Sequence, residues 1–182
     1  MKQMILIICL AVAMASCNNA GTKQSGSDST ATTVKTSSKV TLPFTLDRPY
    51  RNWQTGSDEN VAVAMGGLKA YIDKDFTALG AAIGDSLNVR FDYYHASLSR
   101  DSAVKMFTAQ RAMSGDIIIT MYDYESVISE DKKDEYVTLW YKQNWKNEKG
   151  IADSLSVIDD CKMKNGKMIE LDEKIQHFPV KK

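Results

Sequence analysis

This sequence predicts an α+β domain with three N-terminal helices packed into a strongly curved, mainly antiparallel sheet, and three observations lead to it. Apolar residues recur at helical spacing in three segments between Ser57 and Gly115. After Gly115 the helical period does not return, and four long alternating segments follow one another through polar turns. The last two flank Asn165-Gly166, a tight-hairpin dipeptide. Helices first and strands after them, rather than in alternation, argue for helices gathered on one face of an antiparallel meander.

The chain of 182 residues, 43% hydrophobic and 25% charged, suits one modest folded domain with extensions. Its 23 basic and 23 acidic side chains cancel, which leaves no electrostatic footprint for nucleic acid. Residues 1–17 read as a leader, with Lys2 as the basic start, Met4 to Met14 as the apolar stretch and Ala15-Ser16 before Cys17. Eleven apolar residues are too few to span a bilayer, which needs roughly 20. The small pair before a cysteine resembles the lipobox of bacterial lipoproteins, with Met14 where that pattern has leucine. The resemblance implies cleavage before Cys17 and its lipidation by chains such as palmitate, hence a membrane anchor. No acidic cluster follows Cys17. In such lipoproteins that cluster accompanies surface export, so a periplasm-facing place at the outer membrane is expected.

Residues 18–46 are rich in Ser, Thr, Gly and Asn, the composition of a flexible tether, and residues 47–182 form the expected domain. Within the tether, Asp28-Ser29-Thr30 resembles a bacterial O-glycosylation sequon; Asp85-Ser86-Leu87, Asp101-Ser102-Ala103 and Asp153-Ser154-Leu155 repeat the pattern in less accessible places. Of the cysteines, Cys9 lies in the leader and Cys17 is the lipid site, so the domain keeps only Cys161 and forms no internal disulfide. One cysteine with the widely spaced His95 and His177 has no recognisable zinc spacing, and neither a metal nor a cofactor is expected.

Leu42 to Thr55 carries Pro43 and Pro49 among Phe44, Tyr50 and Trp53, and reads as an extended arm that packs its aromatics on the domain. Ser57 caps a first helix with Val61, Met65, Leu68 and Ile72 on one face, interrupted at Gly66-Gly67. Asp75 caps a short second helix carrying Phe76, Leu79 and Ile83. Leu87 to Tyr93 is a strand, and His95 falls in the loop after it. Ser99 caps a third helix with Val104, Met106 and Phe107 inward, ending near Met113-Ser114-Gly115. Strands follow over residues 116–128, 136–145, 154–163 and 167–178.

The final hairpin puts Leu155, Val157, Cys161 and Met163 on one face and Ile169, Leu171 and Ile175 on the other strand's matching face. A two-residue turn would place these sets on opposite sides of the sheet. The expectation is therefore a three-residue loop, Lys164-Asn165-Gly166, with Gly166 left-handed. In that register Met163 pairs with Lys167 and Asp159 with Leu171, and Asp159 and Glu173 become diagonal neighbours.

The segment order resembles the nuclear transport factor 2-like superfamily, including its SnoaL-like and ketosteroid isomerase-like branches. The matching residues are Asp75-Phe76-Thr77-Ala78-Leu79 with Asp85, then Phe107, Val157-Ile158-Asp159 and Gly166-Lys167-Met168, over about 58–178. The resemblance implies a cone-shaped fold. It also implies that Asp159 stands where isomerase-like members hold a protonated acid against an oxyanion. The positions of the helical tyrosine and of the general base fall at Gly67 and Phe91, with Asp92 one residue out of register, so the isomerase set is incomplete.

An acid on an apolar face beside Glu173 should have a raised pKa through lost hydration and a neighbouring like charge. Either Asp159 works at a site, or it is a structural acid bonded to a Tyr, Trp or Lys of the wall. The expected pocket wall is Val137, Leu139, Tyr141, Trp145, Leu155, Val157, Cys161, Leu171 and Ile175, with Asp159 and Glu173 as polar orienting groups. Tyr136 and Trp140 point to the opposite face, either as a contact surface, through which a homodimer forms, or beneath the aromatic arm.

The resulting expectation is a lipid-anchored envelope protein whose domain binds a small apolar molecule or a peptide without chemistry. The alternatives are an isomerase, dehydratase or cyclase using Asp159, and a solid-cored interaction module working through its outer sheet face. The address has its own test: full-length protein should partition into detergent, and Cys17→Ser should release it into the aqueous phase. Unchanged partitioning of the variant would remove the anchor.

Overall fold

Each helix starts where a short polar side chain satisfies a free backbone amide. The computed structural model describes residues 42–92, 94–146, 150 and 152–178. The leader, Cys17, the tether up to residue 41 and its Asp28-Ser29-Thr30 tripeptide lie outside the described residues. Ser57 Oγ accepts from Asn60 N at the start of α1 (Asp58–Asp73), and Asp75 Oδ1 accepts from Ala78 N at the start of α2 (Phe76–Ala82). Ser99 caps α3 (Arg100–Ala112) in the same way.

Gly66-Gly67 do not interrupt α1, which runs straight through them. Gly66 is exposed with nothing near its missing Cβ, whereas a Cβ at Gly67 would lie 3.4 Å from Ala82 Cβ and 3.6 Å from Met168 Cε. Close approach explains only the second glycine. The buried stripe of α1 is accordingly small, with Ala64, Gly67 and Ala70 against its neighbours and Met65, Leu68 and Ile72 half-buried.

The strands are β1 (Gln54–Thr55), β2 (Ile83–Phe91), β3 (Tyr94–Ser99), β4 (Ile117–Ile128), β5 (Glu135–Lys146), β6 (Ala152–Lys164) and β7 (Lys167–His177). They form one sheet in the order β1-β4-β5-β6-β7-β2-β3, antiparallel except where β2 runs parallel to β7. One-residue shifts in β4 near Tyr122 and in β7 at Ile169 interrupt the ladders, the kind of irregularity that bends a sheet. α1 packs on β4, β5 and β7 and α3 on β2 and β3, so the helices share one face.

Three expectations of extent need correction. Ile83 does not close α2; it is fully buried at the head of β2, paired with Met168. β2 ends at Phe91, and Asp92 takes a positive φ in the turn that follows. His95 lies not in a loop but in β3, an edge strand whose inward residues, Ala96 and Leu98, are too few to announce themselves by periodicity. The arm is only partly docked within residues 46–55: Trp53 packs edge-on to Tyr136 at 5.9 Å and Gln54–Thr55 pair with β4, while Tyr50 stays exposed.

The hairpin satisfies the parity requirement by another device. Asn165 and Gly166, both at positive φ, make a two-residue turn with Lys164 opposite Lys167. Pairing then shifts so that Ile169 has no partner and Lys162 faces Glu170. The extra residue restores the odd-with-odd pairing that a three-residue loop was expected to supply, and Met168 instead of Ile169 takes the inward place. In this register Asp159 stands directly opposite Glu173, not diagonal to it, and Cys161 faces Leu171.

Buried Arg111 ties the helical layer together. Its Nε and Nη2 donate to Ile72 O at the end of α1, and its Nη1 donates to Ser114 O and Gly115 O at 2.9 and 2.8 Å. The described residues from Leu46 onward group as one compact unit. Among the described residues no helix is long and apolar enough to cross a membrane.

The two glycine settings predict opposite outcomes in denaturant titrations. Gly66→Ala should stabilise by up to about 1 kcal/mol, as an exposed helical glycine with free space. Gly166→Ala should destabilise by about 1 kcal/mol, because φ +67° strains any residue with a Cβ.

Candidate functional site

Alternation along β5, β6 and β7 turns one set of side chains toward the helices, and between that set and α1 and α3 lies a cavity of about 220 Å³. Of the expected wall residues, Leu139, Tyr141, Leu155 and Val157 line it, as do Cys161, Leu171 and Ile175. Asp159 and Glu173 line it too. Val137 and Trp145 do not. Val137 is fully buried in the core beside Cys161, and Trp145, near the end of β5, pairs with Ile117 and Asp153 beyond the cavity.

Several lining residues were not among the expected wall. Tyr71 and Leu68 come from α1, Phe107 and Gln110 from α3, Phe91 from β2, and Met168 from the start of β7. Gln143 lies on the inner face of β5 between Tyr141 and Trp145, and a polar residue interrupting an apolar alternation was its available signal. For Tyr71 the signal was the small-residue spacing Ala64, Gly67, Tyr71, which leaves room above the sheet on one helix face.

Polar side chains share the lining, among them Tyr71, Gln110, Tyr141, Gln143, Asp159 and Glu173. Tyr141 Oη donates to Asp159 Oδ2 at 2.9 Å, the wall-tyrosine partner weighed for a structural acid. Asp159 is only 5% exposed, yet among the described residues its Oδ1 has no hydrogen-bond partner. A buried carboxyl oxygen left unpaired is costly, so the group resists ionisation. Burial, and then the facing Glu173, raise the Asp159 pKa to about 8, with the Tyr141 hydrogen bond opposing. Half-buried Glu173 is raised to about 7, by burial first and then by the charge of Asp92. Burial also pushes Tyr141 and Cys161 well above their ordinary values. Among the described residues no three His, Cys, Asp or Glu side chains gather at metal-ligand spacing.

The remaining candidates are scattered. His177 ends β7 opposite Leu155 and His95 pairs with Arg90 on β2; both are exposed. The counted tyrosine position, Gly67, lies against Ala82, while Tyr71 one turn later reaches the cavity. Phe91 lines the cavity and Asp92 follows it in the turn. On the outer face Trp53 and Lys162 cover Tyr136, and Trp140 stays half-buried. Lys174 bridges Asp160 and Asp172 on that same face.

No protein-family model matches the chain. No curated protein matches it. Solved structures do share its fold, which is nuclear transport factor 2-like. An LEH-like epoxide hydrolase from Mycobacterium tuberculosis superposes with a TM-score of 0.53 at 12% identity, over 65% of this chain and 83% of that one. A protein of ketosteroid isomerase-like fold from Catenulispora acidiphila, solved with trimethylamine, gives 0.52 at 11% identity, over 66% and 86%. A protein described as a SnoaL-like polyketide cyclase, from Shewanella denitrificans, gives 0.52 at 10% identity, over 66% and 92%.

The raised Asp159 pKa carries a stability signature. Between the unfolded value near 3.8 and the folded value of about 8, the folded chain holds a proton that the unfolded chain releases, so stability falls as pH rises through that window. Asp159→Asn keeps the shape and an acceptor for Tyr141 while abolishing the penalty. Thermal melts should show the variant gaining on wild type from about pH 4 to 8, by on the order of a few kcal/mol at the upper end. A variant less stable than wild type at the upper end would show an ionised structural acid.

Proposed function

We propose that this nuclear transport factor 2-like domain binds a small, largely apolar molecule in its cone, and that it works at the cell envelope, tethered through Cys17. The observation that carries the binding reading is Asp159, a buried acid with an unpartnered Oδ1 among the described residues, in the wall of a cavity instead of a packed core. Binding sites of this kind combine apolar walls with a few placed polar groups, here Asp159, Glu173, Gln143 and Tyr71. An apolar cavity of roughly 150 Å³ accepts benzene, so about 220 Å³ suits a body somewhat larger than one ring. Half-buried Leu155 and Ile175, with exposed Gln110, mark the side from which such a body enters.

A second reading has one observation in its favour: two facing acids, Asp159 and Glu173, hold pKa values near neutrality, where a proton passes easily between protein and substrate. Asp159 would then donate and Glu173 accept in an isomerase-, dehydratase- or cyclase-type reaction. Neighbours of the same fold carry the names of an epoxide hydrolase and a polyketide cyclase, which supports small-molecule work without specifying it.

Native mass spectrometry of the full chain, released from detergent after incubation with an envelope extract, tests the binding reading. Wild type should carry an added small-molecule mass, and Leu155→Trp, which fills the entrance, should lose it. Equal spectra without added mass would return the domain to an interaction role through its outer face.

A further inference from the structure

We infer that the cavity selects an organic cation, an alkyl- or arylammonium ion whose N–H group meets the Asp159 carboxylate while its apolar body lies among the aromatic rings. The inference rests on the binding reading above and assigns its ligand class. Three carboxyl groups act on this space: Asp159 from β6, Glu173 directly opposite on β7, and Asp92 from the turn after β2, whose charge is felt at Glu173. A neutral ligand with one acceptor would satisfy Asp159 alone and leave Glu173 and Asp92 opposed. A cation relieves all three.

The chain supplies no cation of its own to this space among the described residues. Lys174, whose charge reaches Asp159, is committed on the outer face to Asp160 and Asp172. Arg111, whose charge reaches Tyr71, spends its N–H groups on the carbonyls of Ile72, Ser114 and Gly115. The other titratable groups facing the pair are Tyr71, Tyr141 and Cys161, held neutral by burial, and His177 farther along β7. The three carboxyls do not gather at metal-ligand spacing, which disfavours an inorganic ion.

The walls fit the same ligand. Tyr71, Phe91, Phe107 and Tyr141 all line the cavity, with Phe107 6.0 Å from Tyr71 and 6.3 Å from Phe91 between ring centres. Aromatic faces attract a positive charge, more strongly where water is excluded. Once Asp159 is ionised, its Oδ1 is an acceptor for which the described residues supply no donor.

Phenethylammonium and propylbenzene, which differ by one ammonium for one methyl group, test the inference on full-length protein by titration calorimetry. An alkylammonium keeps its proton below about pH 10, so any change below that comes from the protein. At about pH 8.5 the cation should bind roughly tenfold or more tightly than propylbenzene, the scale of one charge-assisted hydrogen bond. The preference should collapse towards about pH 5.5, where Asp159 and Glu173 are protonated. Glu173→Gln, at a half-buried position, and Asp159→Asn should each reduce the preference while still binding propylbenzene. Propylbenzene binding as tightly as the cation at the higher pH, or a preference flat with pH, overturns the cation and leaves the apolar pocket standing. Binding of neither overturns both.

Discussion

The parity of the β6–β7 pairing is the constraint on which the cavity rests. A slip of one residue would turn Val157, Asp159 and Cys161 outward and bring Ile158, Asp160 and Lys162 against the helices. The Asn165-Gly166 turn alone would give that slip, because two residues join strands whose apolar sets are out of phase. The unpaired Ile169 absorbs the difference three residues past the turn, and every pairing beyond it, including Asp159 with Glu173, follows. The outer face gains equally. Asp160, Lys162 and Lys174 reach their partners Thr138, Asp134 and Asp160 in this register.

Two acids on the inner face are unfavourable for folding. Each loses hydration, Glu173 raises the pKa of Asp159, and one Asp159 oxygen has no hydrogen-bond partner among the described residues. Leucine or methionine at these positions would pack without that penalty. A local conflict of this kind, set in an otherwise consistent core, is where a fold departs from its stability optimum in favour of a site. Tyr141 limits the cost by donating to Asp159 Oδ2, and it orients the free oxygen at the same time.

The helix starts, the four long strands and the inward alternation were legible because each depends on short-range chemistry. Ser57, Asp75 and Ser99 are caps in sequence and in space. β3 was illegible because an edge strand buries little, and only Ala96 and Leu98 face inward. Ile83 was misplaced because its apolar side chain fits the helical spacing of α2, while its actual partner, Met168, is remote in sequence. The cavity was half legible. The β5, β6 and β7 wall follows from alternation, but Tyr71, Phe91 and Gln110 depend on how helices and β2 sit over the sheet, which no local pattern records. The hairpin shows the limit most clearly: parity was readable, but whether turn or bulge supplied it was not.

The parallel contact between β2 and β7 has a consequence for the order of events in folding. It joins Val89 to Leu171 and Phe91 to Glu173, partners separated by roughly eighty residues of chain. β4, β5, β6 and β7 can zip together as successive neighbours, but β2, with β3 and α3 beside it, joins the sheet only through β7. Until then Leu87 and Val89, buried in the finished fold, remain uncovered on that side. Contacts of such span slow folding, since chain entropy is lost before the contact rewards it. The strand that brings Glu173 opposite Asp159 is thus also the one that closes the core, so the cavity and the completed domain come into being in the same step.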